Sequence, residues 1–546
     1  MIAIDISFII IILLACIALF FMAGYAVKAI NSKWKILWCI PVVVCMIISL
    51  ATDFEKCLVT VYIASVVLLI GFIKESEKLR KLLSVISAIL TLSAIPVCLL
   101  STGYRSTDYV AEFKKGFDGM KEHYVLSAHK NIDWDALYDK YIPKFRAVED
   151  DVDNFLVWNE FTDEFKDGHV GFSPAGDYDE ISEKAYDRVL GNDYGLSLME
   201  LSNGKVVAVN VSDSLAQAGI KNGTQVILWD GKDAKSLGEG LTKYAGMCFA
   251  DKDNEAFYKV LLGSGTGGDT VTITYLDESG AEKTAELPKL GTYYSGRLKA
   301  TLDIINQGIE TGHLTWVDID EKTSAFRIKM MMYDFKSLKN ENHDALKYAI
   351  TEKLAELKAK GVENIILDLR SNGGGSGDMV KAIASVFAPL GEHYYCTDGL
   401  WDDELGGYAT DPETGKYVKG TDNYFTGENL WDGKVVVLVN ALSVSAADHF
   451  VKVTSEFDNI TVMGFTESNG SAQAVGGVNL DSGAYLQFSS CVVLDENGDI
   501  FIDSGEDMES GNDIEIKIDF TEETVKSLFD NDEDYVLNKA LEYLYE

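Results

Sequence analysis

KVVVLVNALSVSAADHFVKVTSEF (434–457) is the stretch on which the fold turns. Its first seven residues are almost all apolar, as in a strand buried on both faces. ALSVSAAD (441–448) is a short turn of small and polar residues, and HFVKVTSEF (449–457) reads as a helix. A second run of the same kind, ENIILDL (363–369), ends in Arg370-Ser371-Asn372-Gly373-Gly374-Gly375. Before it lies an amphipathic helix, ENHDALKYAITEKLAELKAKG (341–361), closed by Gly361, and before that a strand candidate, SAFRIKMMMYDF (324–335). Strands alternating with helices predict an α/β core over 293–546.

Upstream the pattern changes. Residues 186–290 carry short β-rich runs, KVVAVNV (205–211), TQVILWDG (224–231) and DTVTITYL (269–276), separated by Gly, Asn and Asp turns. DSLAQAGIKNGTQVILWDGKD (213–233) resembles the PDZ pattern of a short helix, a Gly turn and a strand ending in a polar-Gly hairpin. By that resemblance Tyr194, Gly195, Leu196 and Ser197 stand where a carboxylate-binding loop would take a peptide. Residues 105–165 read as helices, with Phe113, Phe117, Met120 and Tyr124 at spacings of three and four. They run into Asp167-Gly168-His169 and the apolar Val170 and Phe172.

Residues 1–104 hold four stretches without a charged side chain, 6–27, 36–52, 57–73 and 82–104. About 20 apolar residues span a bilayer as a helix, with about 17 the short limit. The expectation is a four-helix transmembrane region contacting the lipid bilayer. Lys28, Lys33 and Lys35 in the first connection, and Lys74, Lys78, Arg80 and Lys81 in the third, point these connections to the cytoplasm. The soluble part is then expected outside, in a multi-pass cell-membrane protein.

Net charge is −37, which disfavours nucleic acid as a partner because such binding rests on Lys and Arg neutralising phosphates. Five of the eight cysteines fall before residue 104, and Cys248, Cys396 and Cys491 are isolated. No metal-ligand spacing, P-loop or HExxH motif occurs, so no cofactor and no metal is expected.

Ser445 follows a buried strand and opens a helix, whose free N–H groups and dipole favour negative charge nearby. A helix cap would look the same. The consecutive glycines after Asn372 can expose amides able to hold an oxyanion. Together IILDLRSNGGG (365–375) and VLVNALSVSAAD (437–448) resemble the tail-specific, or C-terminal processing, serine peptidases. That family pairs an Asp-Leu-Arg-x-Asn-x-Gly-Gly strand end with a Ser-x-Ser-Ala one, on a stacked-sheet core of the crotonase/ClpP kind, usually behind a PDZ module. The resemblance implies Ser445 as nucleophile, with an oxyanion hole from the amides of Gly373 or Gly374 and of Ala446.

One branch of the family takes its base from a lysine about 25 residues after the serine. Gly470 stands there, and no Lys occurs between Lys452 and Lys517. The tricorn-like branch uses a histidine in a Leu-x-Asp-Gly-His setting, which AspGlyHisVal (167–170) resembles, so His169 is the implied base, at a pKa suited to neutral pH. His449, four residues after Ser445, is its main competitor; His123, His129, His313, His343 and His393 lack motif context. A carboxylate should orient the imidazole. Within SGEDMESGNDI (504–514) Glu509 is the implied residue, with Glu506 and Asp507 as alternatives. The expectation is a membrane-anchored serine endopeptidase acting on protein or peptide substrates. A catalytically silent binding or sensor protein on the same scaffold is the alternative. The expected order is a transmembrane region (1–104), a helical part carrying His169 (105–185), a PDZ-like domain (186–290) and the catalytic core (293–546).

Overall fold

Three helices, α1 (Tyr109–His123), α2 (Trp134–Arg146) and α3 (Asp151–Asp163), pack through one aromatic cluster. Phe113 stacks on Phe145 at 4.3 Å between ring centroids and meets Trp158 and Phe161 at 5.8 and 5.6 Å. Each of the last two helices starts where an aspartate caps it: Asp133 accepts from the Ala136 N–H and Asp150 from the Asp153 N–H. The chain then passes His169 into a short strand, β1 (Gly171–Ser173), and a helix, α4 (Tyr178–Val189). The structure is a computed structural model and describes residues 108–309, 314–332, 343–509, 512 and 514–546.

The β-rich segment builds its own small core. The hairpin β2 (Ser197–Glu200) and β3 (Val206–Val209) lies beside β4 (Val226–Trp229), β5 (Thr270–Leu276) and β6 (Glu282–Pro288), with helix α5 (Lys252–Gly263) packed on β2. Leu198, Val206, Val226, Trp229, Val260 and Ile273 are buried together. Asp230 and Gly231, both at positive φ, turn β4 back on Lys232–Asp233, as a two-residue hairpin loop requires.

The core sheet comprises β7 (Leu314–Asp318), β8 (Thr323–Ile328), β9 (Asn364–Asp368), β12 (Lys434–Leu438), β13 (Ile460–Gly464) and β16 (Ile516–Lys517), in that spatial order. Only the β7–β8 pair is antiparallel. Helices α6 (His343–Lys360), α7 (Gly377–Phe387) and α8 (Ala446–Thr454) join its strands. Between α7 and β12 stand the paired long strands β10 (Gly391–Gly399) and β11 (Lys419–Gly427). A second sheet sets β15 (Tyr485–Cys491) between β1 and β14 (Ala474–Asn479). This sheet ties the segment after His169 to the segment after the 468–473 loop. The expected helix at 449–457 starts earlier, at Ala446, because Ser445 caps it.

A buried charge cluster locks the end of β9. Arg370 forks onto Asp368 (3.0 and 3.0 Å) and Asp534 (2.7 and 2.8 Å), and Arg327 reaches Asp368 at 2.7 Å. Burial raises the Asp368 pKa, but Arg370 and Arg327 outweigh it and hold the carboxyl below its usual value. Arg370→Ala strands Asp368 in the interior with one partner fewer, so it is expected to cost about 3–5 kcal/mol in urea unfolding. Breaking an exposed pair such as Lys358–Asp432 should cost far less, because water already solvates both charges.

Among the described residues no helix is long and apolar enough to cross a membrane. The longest, α6, has 18 residues but bristles with Lys and Glu, which hydrocarbon rejects. The expected fold class is corrected on this point: the described fold is α/β and includes no transmembrane helix. The multi-pass membrane location, and with it the bilayer as a partner, is corrected likewise. The four apolar stretches themselves, at 1–104, lie outside the described residues.

Candidate active site

Two strand ends are stitched together beneath the site. After β12, the Asn440 side chain accepts from the N–H of Ser371 (2.9 Å) and of Leu442 (3.1 Å). The Ser443 hydroxyl donates to the Leu369 carbonyl (2.8 Å), and the Val444 N–H to that of Asn372 (2.9 Å). Ser445 follows at φ 65° and ψ −118°, a conformation costly for a residue with a side chain. It is held there because its N–H donates to the Ser471 carbonyl (3.0 Å) and the Asp448 carboxylate (2.8 Å). As the N-cap of α8, Ser445 sits at the helix end where N–H groups lack intrahelical acceptors.

The glycine turn presses directly on this serine. A Cβ at Gly374 would lie 2.5 Å from the Ser445 Cβ and 2.7 Å from the Val444 carbonyl, and φ there is +84°. Only glycine fits. The Gly374 N–H is spent on the Asn372 side chain (2.8 Å), whose own amide donates to the Ile328 carbonyl (2.5 Å). Gly373 is exposed, and Ala446, first residue of α8, has no intrahelical acceptor for its N–H.

His169 reaches the same place from the helical layer. Asp167 anchors its turn, accepting from the His169 N–H (2.8 Å), the Tyr124 hydroxyl (3.0 Å) and the Ser489 hydroxyl (2.9 Å). The Gly168 N–H donates to the Ser471 hydroxyl (2.8 Å), so Ser471 contacts both the histidine turn and Ser445. His169 is 4 % exposed, and neither ring nitrogen has a hydrogen-bond partner. Burial pushes its pKa below 6.5, with Asp167 pulling the other way.

The competitor is engaged elsewhere. His449 bonds the Ala472 carbonyl at 2.9 Å and packs against the Tyr395 and Phe501 rings. Burial pushes it down to about 4. His129 and His393 bond backbone carbonyls, His123 is exposed, and His313 and the His343 side chain lie outside the described residues.

None of the three acids considered from the sequence meets His169. Glu509 pairs with Lys252 at the surface, Glu506 accepts from Asn131 (2.9 Å), and Asp507 accepts from the Glu509 N–H. The buried carboxylate of this segment is Asp503, which sequence reasoning missed. It accepts from the N–H of Ala472 (3.0 Å) and Gln473 (3.3 Å), and its other oxygen is buried without a partner. Burial, then Asp167, pushes its pKa well above the carboxylate range, against the opposing pull of Lys130. The signal was available: Asp503 directly follows the apolar Phe501 and Ile502. Where a lysine was sought, Gly470 adopts φ +85° and donates to Asp448 at 2.9 Å.

Tyr194, Gly195, Leu196 and Ser197 are all buried. The Gly195 N–H donates to the Asp193 carboxylate at 2.7 Å, which also takes Arg297 at 2.6 Å. Beside the two strand-end turns opens a cavity of about 830 Å³, reached by Ser371 and Leu442 and walled by Met247, Phe249, Tyr258 and Ile309. Among the described residues no cluster of three His, Cys, Asp or Glu could hold a metal.

Residues 330–507 match the model of peptidase family S41. Among solved structures, mature CPAF complexed with lactacystin is 15 % identical, with 80 % of this chain and 98 % of that one covered, at a TM-score of 0.49. A putative peptidase from Parabacteroides merdae is 17 % identical over 81 % and 98 %, at 0.41. The photosystem II D1 C-terminal processing protease is 16 % identical over 74 % and 94 %, at 0.32. The residues that match the family model include both the glycine turn and Ser445, and the protein is a serine-type peptidase.

Proposed function

We propose that the protein is a serine endopeptidase with Ser445 as nucleophile and His169 as general base. One observation carries this reading: Ser445 is strained at a helix N-terminus, pressed by Gly374, and linked through Ser471 to the turn that bears His169. Ser445 Oγ attacks the scissile carbonyl as its proton passes to the imidazole, and the imidazolium returns that proton to the leaving amine. Water then repeats the sequence on the acyl-enzyme, with His169 again as base. The Gly373 and Ala446 amides take the oxyanion, since the Gly374 N–H is already committed to Asn372. No acid is assigned to orient the imidazole, since Glu509 pairs with Lys252 at the surface and both ring nitrogens of His169 are unpartnered. Substrate binding completes the Ser445–His169 hydrogen bond, such contacts being looser before substrate arrives.

We also read residues 186–290 as a PDZ-like module. Its support is the order of strands and the short helix at Asp213–Gln217. The Gly195 amide already holds an internal carboxylate, so an incoming peptide terminus would compete with Asp193.

A serine-directed fluorophosphonate is expected to label the wild-type protein at Ser445 and to leave Ser445→Ala unlabelled. Equal labelling of both would end this reading. The pH profile gives a further expectation. A histidine whose pKa burial has lowered stays neutral at pH 7 and below 6.5, so the acid limb of kcat/KM should fall below pH 6.5. Asp167 raises that pKa, against the larger effect of burial. Stability follows the same sign: the neutral buried ring contributes above its unfolded pKa, and the contribution is lost as pH falls through the lower folded value.

A further inference from the structure

Asp448 lies one helical turn into α8, is 0 % exposed, and touches more than a helix cap needs. A capping box accounts for one of its bonds, the 2.8 Å bond from the Ser445 N–H to Oδ2. It does not account for the others. The Ser471 N–H also reaches Oδ2 (3.3 Å), while the Gly470 N–H (2.9 Å) and the Asn512 side-chain amide (3.2 Å) reach Oδ1. The Ser468 hydroxyl completes the set and in turn accepts from Asn512 at 2.5 Å. These donors come from three separate segments. One is the nucleophile's own turn, and another is the loop whose Ser471 hydroxyl holds the histidine turn through the Gly168 N–H.

We infer that Asp448 is a positioning residue, whose carboxylate locks the strained Ser445 backbone to the 468–471 loop and so fixes the serine relative to His169. This rests on the reading of Ser445 and His169 above. A carboxylate is required because both oxygens receive donors. An amide of the same shape would face an N–H group with its own NH₂ whichever way it turned. Keeping this charge inside the protein is costly: burial pushes the Asp448 pKa up to about 6 despite the bonds it accepts. A group kept at such cost beside a strained serine fits a role in holding reactive geometry rather than in stabilising the fold.

The test uses the full chain with Asp448→Asn, a peptide substrate and a fluorophosphonate. The expected result is a fall in kcat of about 10²-fold, with KM little changed, as expected for a displacement near 1 Å at the reacting groups. The rate of labelling at Ser445 should fall in step. Ser468→Ala, which removes one hydroxyl and leaves the carboxylate, is expected to lower kcat by a smaller factor in a protein that unfolds at nearly the wild-type temperature. Unchanged kcat and labelling rate in folded Asp448→Asn overturn the inference, whatever happens to its unfolding midpoint. Should that variant not fold, unchanged kcat in Ser468→Ala overturns it instead. An inactive Ser445→Ala beside a normal Asp448→Asn defeats this inference alone, whereas a fully active Ser445→Ala defeats the reading on which it rests.

Discussion

Ser445→Ala is expected to lower kcat on a peptide substrate by about 10⁶-fold, the loss seen when a serine nucleophile is removed from a triad acting as a unit. That is about 8 kcal/mol of transition-state stabilisation. The fold should suffer little. Losing a capping hydroxyl costs about 1 kcal/mol, and the strained backbone is held by bonds from the Ser445 N–H, which alanine retains. The unfolding midpoint should therefore shift only slightly while activity vanishes. A matching loss of stability and activity would instead mark Ser445 as a cap.

His169→Ala is expected to cost nearly as much, about 10⁶-fold in kcat, and the double variant no more than either single change. Non-additivity is the decisive part of this prediction. If Ser445 and His169 worked separately, their losses would multiply. The histidine is also a good subject for the test because its side chain has no hydrogen bonds to lose, both ring nitrogens being unpartnered. His449→Ala provides the contrast. Its ring packs between Tyr395 and Phe501 and bonds the Ala472 carbonyl, so its removal should lower stability more than turnover.

The sequence was most informative where the signal is local. Apolar runs at 363–369 and 434–440 predicted the central strands of the parallel sheet, because a strand covered on both faces has no polar alternation to hide it. Asp230-Gly231 announced a hairpin, whereas the glycines after Asn372 were read as exposed amides and the close approach of Gly374 to Ser445 was not foreseen. The membrane expectation went the other way, because unbroken apolarity alone drove it and no described helix answers to it.

What the sequence by itself determined, then, was the α/β core, together with a short set of candidates for acyl-transfer chemistry. Tertiary structure decided which of them meet. It brought the His169 turn to Ser445 through Ser471, withdrew the Gly374 amide by pairing it with Asn372, and committed Glu509 to Lys252 at the surface. The physical reason is that strands and turns are written in neighbouring residues. Burial and hydrogen-bond partnership are set instead by segments far apart in the chain, and those are what select a working base or amide from its equals.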